Sequence, residues 1–274
     1  KTIFGKKIKF QTSDLSAAEA EGEVFYSATD DKLKVATRTF AWSSSAPLVE
    51  GRSDLRMGGT GTKTAGLVAF GNPSSGDDGY VWIGTEEYDG TGWSTGGNTT
   101  HAASLASLTG PQTAGLACGI SDSPTTLTIT YNGSAWADSG NAFPGVGTAG
   151  VVSGTQTATL YGGQGNDESH EYNGSAWTAG GNMNTDRDGD AIGWGSQTAG
   201  LITTGVDGTN LVSASETYDG SSWTSGTNIS TAKRRGSSSI LASQDNGLAF
   251  GGSPTYNPNA TATTDTQHWD GTSW

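Results

Sequence analysis

The chain is poor in the residues that carry most enzymatic chemistry. In 274 residues it has one cysteine, Cys118, and three histidines, His101, His170 and His268. A single cysteine excludes an intrachain disulfide and leaves the redox compartment undecided. Basic residues are scarce too: 14 Lys and Arg stand against 27 Asp and Glu, a formal charge of -13. Such a surface repels phosphate backbones and anionic headgroups, which excludes nucleic acid and acidic membranes as expected partners. No apolar run approaches the ~18 residues of a spanning helix, and the opening KTIFGKKIKF lacks a small-residue cleavage pattern. The expectation is a soluble chain that does not insert into a membrane. Helical periodicity is missing as well, while Gly, Ser, Thr and Asn abound, a composition suited to short strands joined by turns.

What is present is repetition. EYNGSAW at Glu171 to Trp177 returns as YDGTGW at Tyr88, YNGSAW at Tyr131, YDGSSW at Tyr218 and WDGTSW at Trp269. One tryptophan per unit marks the period: Trp42, Trp93, Trp136, Trp177, Trp223 and Trp274, at intervals of 51, 43, 41, 46 and 51. A second marker lies between them: KTAGLVAFG at Lys63, QTAGLACG at Gln112, QTATLYGG at Gln156, QTAGLITTG at Gln197 and QDNGLAFGG at Gln244. From each tryptophan to the fourth position of the next marker the distances are 24, 22, 23, 23 and 24, whereas from there to the next tryptophan they are 27, 21, 18, 23 and 27. A frame of fixed length therefore carries one variable loop.

Asn-Gly and Asp-Gly favour the centre of a tight type I′ hairpin turn. With a two-residue loop Tyr172 would lie diagonal to Trp177; with four residues it would face Trp177 directly. Either register puts both rings on one face, where such a pair contributes roughly 0.2–1 kcal/mol besides its burial. Five copies at a structural period favour packing over a sugar-stacking platform. In the third unit, strands are expected near 147–152, 157–162, 168–172 and 176–179, numbered here first to fourth. Four-stranded units of ~40–50 residues predict an all-β propeller.

The small-residue strand ending in Gly162-Gly163 or Gly251-Gly252, the Tyr before a turn and the Trp five residues on resemble the Kelch repeat. The resemblance covers about residues 51 to 274, with Gly-Gly reduced to Gly71-Asn72, Gly119-Ile120 and Thr204-Gly205 elsewhere. It implies a Kelch-like β-propeller of five or six blades over residues 45–274, with the Kelch arginine at Arg187 and Arg234. Residues 1–44 are expected to form a short N-terminal β segment: a hairpin from Gly22 to Val35, with Ala28 to Asp31 at its tip, and then TFAWSSS around Trp42. That run, and the Tyr-Asp-Gly-x-x-Trp repeats, resemble bacteriophage tail-fibre and related virion proteins. Closure of the ring predicts that the Trp42 strand pairs with the last unit, or that residues 22–44 build most of an additional blade.

Chemistry finds little support. A copper oxidase needs clustered Tyr, His and Cys, but the three histidines fall in different units. A sialidase-like hydrolase needs an arginine cluster, and Arg38, Arg52, Arg56, Arg187, Arg234 and Arg235 share no position in the unit. Asp186, Asp188 and Asp190 lack the further ligands of a calcium loop, so no metal or cofactor is expected. Lys233 to Arg235 is a basic run that balances nearby carboxylates or contacts an acidic sugar or a partner subunit. The variable length falls in the loops between second and third strands, where recognition usually resides. These carry Asp77, Asp78, Tyr80, Trp82, Asp122, Asn166, Asp167, Asp207, Asn210, Tyr256, Asn257 and Asn259 as candidate binding residues. The expected function is a non-enzymatic tail or head fibre module of a virus particle, partnered by other virion proteins, a host-surface glycan or copies of itself. The alternatives are a secreted or cell-surface bacterial glycan-binding propeller and the sialidase-like hydrolase.

Overall fold

A computed structural model describes residues 9–11, 24–35, 44–53, 55, 58–73, 82–103, 105–120, 126–145, 150–163, 165–187, 190–256 and 262–274. The chain divides into two compact units, Lys1–Ser45 and Ala46–Trp274. In the first, Val24–Ser27 pairs antiparallel with Lys32–Val35 and parallel with Lys9–Gln11. The turn falls on residues 28–31, as expected, with Asp31 left-handed and Asp30 paired to Lys34. Trp42, and with it the closing strand expected there, lies outside the described residues.

The second unit is a five-bladed β-propeller, each blade an antiparallel sheet whose spatial order is its chain order. Blade one holds Gly59–Thr62, Ala65–Ala69, Thr85–Tyr88 and Trp93–Thr95; blade two Ser107–Thr109, Gly115–Cys118, Ile129–Tyr131 and Trp136–Asp138. Blade three holds Val151–Thr155, Ala158–Gly162, Ser169–Tyr172 and Trp177–Ala179; blade four Ile192–Ser196, Ala199–Thr203, Ser215–Tyr218 and Trp223–Ser225. Blade five has Ser237–Ser238, Gly247–Phe250 and Thr266–Trp269, followed by Trp274 in the place of the fourth-strand tryptophan. The first strands of successive blades are neighbours, and small residues let them approach: a Cβ on Gly193 would meet Val151 Cγ1 at 2.5 Å. Ile240, in the turn after the first strand of blade five, shares one apolar cluster with Leu116 of blade two and Val152 of blade three. Among the described residues no helix is long and apolar enough to cross a membrane.

The repeated hairpin differs from the type I′ expectation in a way that explains its sequence. Tyr172 pairs directly with Trp177, as Tyr88 does with Trp93, Tyr131 with Trp136 and Tyr218 with Trp223. The loop therefore holds four residues, and only its glycine is left-handed, at +90° for Gly174. The preceding Asn acts through its side chain. Asn173 Oδ1 accepts the N–H groups of Ser175 and Ala176 at 3.0 and 2.9 Å and the Ser175 hydroxyl at 2.9 Å. Asp89, Asn132, Asp219 and Asp270 repeat this Asx turn.

The turn has a pH signature. The Thr91 hydroxyl, with the amides of Gly92 and Thr91, holds the Asp89 carboxyl down to about 2, and the Ser222 amide, with Ser221, does the same for Asp219. A carboxyl lowered from its unfolded value of ~3.9 contributes stability above that pH and loses it as pH falls through its folded value. Melting temperature should therefore drop between about pH 4 and pH 2, and the Asp219→Asn variant should drop less, because Asn132 and Asn173 close the same turn uncharged. Parallel melting curves for parent and variant across that window would overturn the assignment.

Blades two to five are each fastened to the blade before by two repeated side chains. The indole N–H of Trp136, Trp177, Trp223 and Trp274 donates to Thr85, Thr128, Ser169 and Ser215 hydroxyls at 2.9, 2.8, 3.2 and 3.0 Å. The amide of Gln156 donates to the Gly115 and Tyr131 carbonyls at 3.0 and 2.9 Å, and Gln112, Gln197 and Gln244 bridge the equivalent pairs. The ring centroids of Tyr172 and Trp177 lie 5.0 Å apart and those of Tyr218 and Trp223 4.9 Å apart, the planes tilted by 37° and 38°, each pair packed side by side as the repeat predicts.

Candidate functional site

Antiparallel pairing sends the loops between second and third strands, together with the blade-to-blade connections, out of one end of the propeller. One residue per blade organises that end. Directly after the second strand stand Phe70, Gly119, Gly163, Thr204 and Gly251, all left-handed at +68°, +61°, +78°, +60° and +64°. Glycine adopts this backbone freely, whereas Phe and the β-branched Thr are strained there.

An arginine clamps each of the two strained residues. Arg52 donates to the carbonyls of Phe70 and Gly84 at 3.2 and 2.9 Å and pairs with Glu86. Arg187 donates to the carbonyls of Thr204 and Ala214 at 2.6 and 3.0 Å and to Glu216 Oε1 at 3.1 Å. Both side chains of the second pair are 0% exposed. Burial pulls the Arg187 pKa down, and the charge of Glu216 opposes that shift. The second carboxylate oxygen of each Glu accepts the amide three residues before the arginine, Val49 and Asn184, at 2.6 Å in both.

Blade five carries the same frame with different residues. The Lys233 carbonyl accepts the Gly205 N–H as the Arg187 carbonyl accepts that of Gly165, at 2.9 and 2.7 Å. Gln267 stands where Glu216 stands and accepts the Ser230 N–H at 3.2 Å, and Lys233 pairs with Asp265 at 3.5 Å. The frame position is thus Arg52, Arg187 and Lys233, and the expectation of Arg234 is corrected. Equal spacing to the second strand points to Arg234, one residue too far along: in blade five the turn before that strand is two residues longer, as the pairs Gly193–Ile202 and Ser238–Ala249 show, and the approach to the first strand is one residue shorter, five residues from Lys233 to Ser238 against six from Arg187 to Gly193.

Arg234 is thereby released to the loop end. Its backbone exchanges two hydrogen bonds with Ser253, at 3.0 and 2.9 Å. Its guanidinium pairs with Asp190 at 2.6 Å and lies 4.9 Å from the centroid of the Tyr256 ring. Tyr256 is 51% exposed. Arg235 follows, left-handed at +56°, with its N–H donating to the Asp190 carbonyl at 3.0 Å.

The structure describes only some of the other candidate binding residues. Asp77, Asp78, Tyr80, Asp122, Asn257 and Asn259 lie outside the described residues. Trp82 is half-buried, 6.0 Å from the Arg52 guanidinium. Asn166 Oδ1 accepts the Glu168 N–H at 3.1 Å, and Asp167 accepts from the Asn182 side chain at 3.1 Å, so both serve to hold their own loop. Asp207 is exposed and closes its loop by accepting the Asn210 N–H at 2.8 Å. Among the described candidates Tyr256 is the one with an exposed aromatic ring.

The remaining reactive groups are dispersed. His101 lies beside Asp138, His170 in blade three and His268 against Asn246. Cys118 is fully buried, and burial pushes its thiol pKa up. Among the described residues no cluster of three or more His, Cys, Asp or Glu is placed to hold a metal. One cleft opens between blades four and five and another lies within blade two. One of about 460 Å³ is lined by Thr217, Ser225, Trp269 and Thr272, and one of about 230 Å³ by Thr128, Asp138 and Asn141, neither with a pair of carboxylates. Compared with known proteins, the chain matches no family model and no curated sequence.

Proposed function

We propose that this propeller is a non-enzymatic recognition module of a virus particle, a fibre component that binds a host-surface glycan through its loop end. The observation that carries the binding role is Tyr256, a half-exposed aromatic ring backed by the Arg234 guanidinium. A ring fixed from behind by a cation offers its other face to the apolar side of a sugar at little entropic cost, and the amides and carboxylates of neighbouring loops suit sugar hydroxyls. The repeated blade supplies the rigid support, and the resemblance of the repeats to bacteriophage fibre proteins supplies the setting.

Glycan-array and host-adsorption measurements on the parent and on Tyr256→Ala test the role. Parent binding that falls about tenfold in the variant, the equivalent of ~1.4 kcal/mol, supports it. A variant that binds as the parent does removes Tyr256 from the site. Copurification of the chain with intact virions supports the fibre setting, and its recovery only from bacterial surfaces would replace that setting with a cell-surface propeller.

A further inference from the structure

We infer that the ligand of this corner is a carboxylated sugar, gripped by Arg235 beside the Tyr256 ring; the inference rests on the glycan-binding role proposed above. Three consecutive cations, Lys233, Arg234 and Arg235, stand here in a chain of net charge -13. Two are consumed internally. Lys233 is 0% exposed and pairs with Asp265, and Arg234 is 14% exposed and pairs with Asp190.

Arg235 is placed differently. Its side chain is 47% exposed, and its one protein bond runs from Nε to Asp190 Oδ2 at 3.4 Å. That oxygen is already held by Arg234 at 2.6 Å. Among the described residues neither terminal nitrogen of Arg235 has a partner, so its two-pronged donor edge faces solvent. The residue is also held left-handed, at +56°, a conformation that a non-glycine residue keeps only when its surroundings impose it. The Asp190 carbonyl imposes it through the Arg235 N–H, and the Arg234–Ser253 backbone pair fixes the preceding residue.

A planar guanidinium fork matches a planar carboxylate through two parallel charge-assisted bonds. Among the described residues three cations face Asp190 and Asp265, one positive charge more than the two carboxylates, which suits a single anion. Tyr256, fixed on the neighbouring cation, offers the ring on which the sugar body can rest. The chemistry is that of a uronic or sialic acid residue in a longer glycan. In a chain of net charge -13 a cation at this corner also makes it selective, because an acidic glycan is repelled by the predominantly acidic surface.

The test is titration calorimetry or array binding with matched oligosaccharides, a uronic acid glycan and its carboxyl-reduced neutral counterpart, and the same comparison for a sialylated glycan. The protein variants are Arg235→Asn, chosen because Asn tolerates a left-handed backbone, and Tyr256→Ala. Expected is parent binding to the carboxylated member of a pair, about 10- to 100-fold weaker binding of that member to Arg235→Asn, and similar binding of the neutral member to both proteins. Tyr256→Ala should weaken both members. If the parent binds carboxylated and reduced glycans equally, or if Arg235→Asn binds as the parent does, the carboxylate inference is wrong while glycan binding stands. Binding to no glycan of either kind would remove the proposed function, and this inference with it.

Discussion

Arg187→Met is expected to lower the unfolding free energy by ~3–5 kcal/mol, the range for breaking a buried ion pair by removing one partner. Glu216 would remain fully buried with its Oε2 held by Asn184 and its Oε1 bereft of the guanidinium. The carbonyls of Thr204 and Ala214 would lose their donor as well. For a domain of this size that is a fall of roughly 10 °C in melting temperature. Adding Thr204→Gly should recover part of it, because the clamp then no longer restrains a β-branched residue at +60°. Thr204→Gly alone should be near neutral, since Gly119, Gly163 and Gly251 fill the same place in other blades. A melting temperature for Arg187→Met within about 1 °C of the parent would show that the pair contributes nothing net. Recovery absent in the double variant would instead separate the clamp from the strain.

The clamp also marks the limit of what the sequence makes legible. The tryptophan period and the two markers were sufficient for the blades, because packing between blades needs one ring per unit at a nearly constant distance. The same markers left the role of Gln112, Gln156, Gln197 and Gln244 unread: a glutamine in a turn carries no signal for a bond to another blade, and only the geometry shows its two carbonyl partners. The Asn-Gly pair was read through backbone preference, but a four-residue loop uses the Asn side chain as an acceptor, and Asp and Asn alternate at that site because both supply the oxygen. The arginine position failed for a different reason. Equal spacing to the second strand does not hold in blade five, where the turn is two residues longer and the approach one shorter, and the frame position there is a lysine rather than an arginine. Length variation alone points to the loops between second and third strands, and the strand bounds place it there. Among the described candidates Tyr256 is the exposed ring, while Asn166, Asp167 and Asp207 spend their oxygens on their own loops.

Trp223→Ala is expected to cost ~3–5 kcal/mol, as a large-to-small change in a packed interior. Trp223 is 8% exposed and belongs to one cluster with Val151 and Leu160 of blade three and Ile202 and Tyr218 of blade four. Its removal leaves a void between two blades that neither sheet can close without breaking the glutamine bridge from Gln197. Trp223→Phe should lose much less, because Ser169 Oγ, which accepts the indole N–H at 3.2 Å, still donates to the Gly181 carbonyl at 2.6 Å. Trp177→Ala should fall between the two: its indole bond to Thr128 is the same, but the ring is only half-buried. The order Trp223→Ala, Trp177→Ala, Trp223→Phe in chemical denaturation follows if the rings act as mortar between blades. A Trp223→Ala protein with the parent's unfolding curve and no glycan binding would make these rings a recognition surface, and would move the binding site away from the loop end altogether.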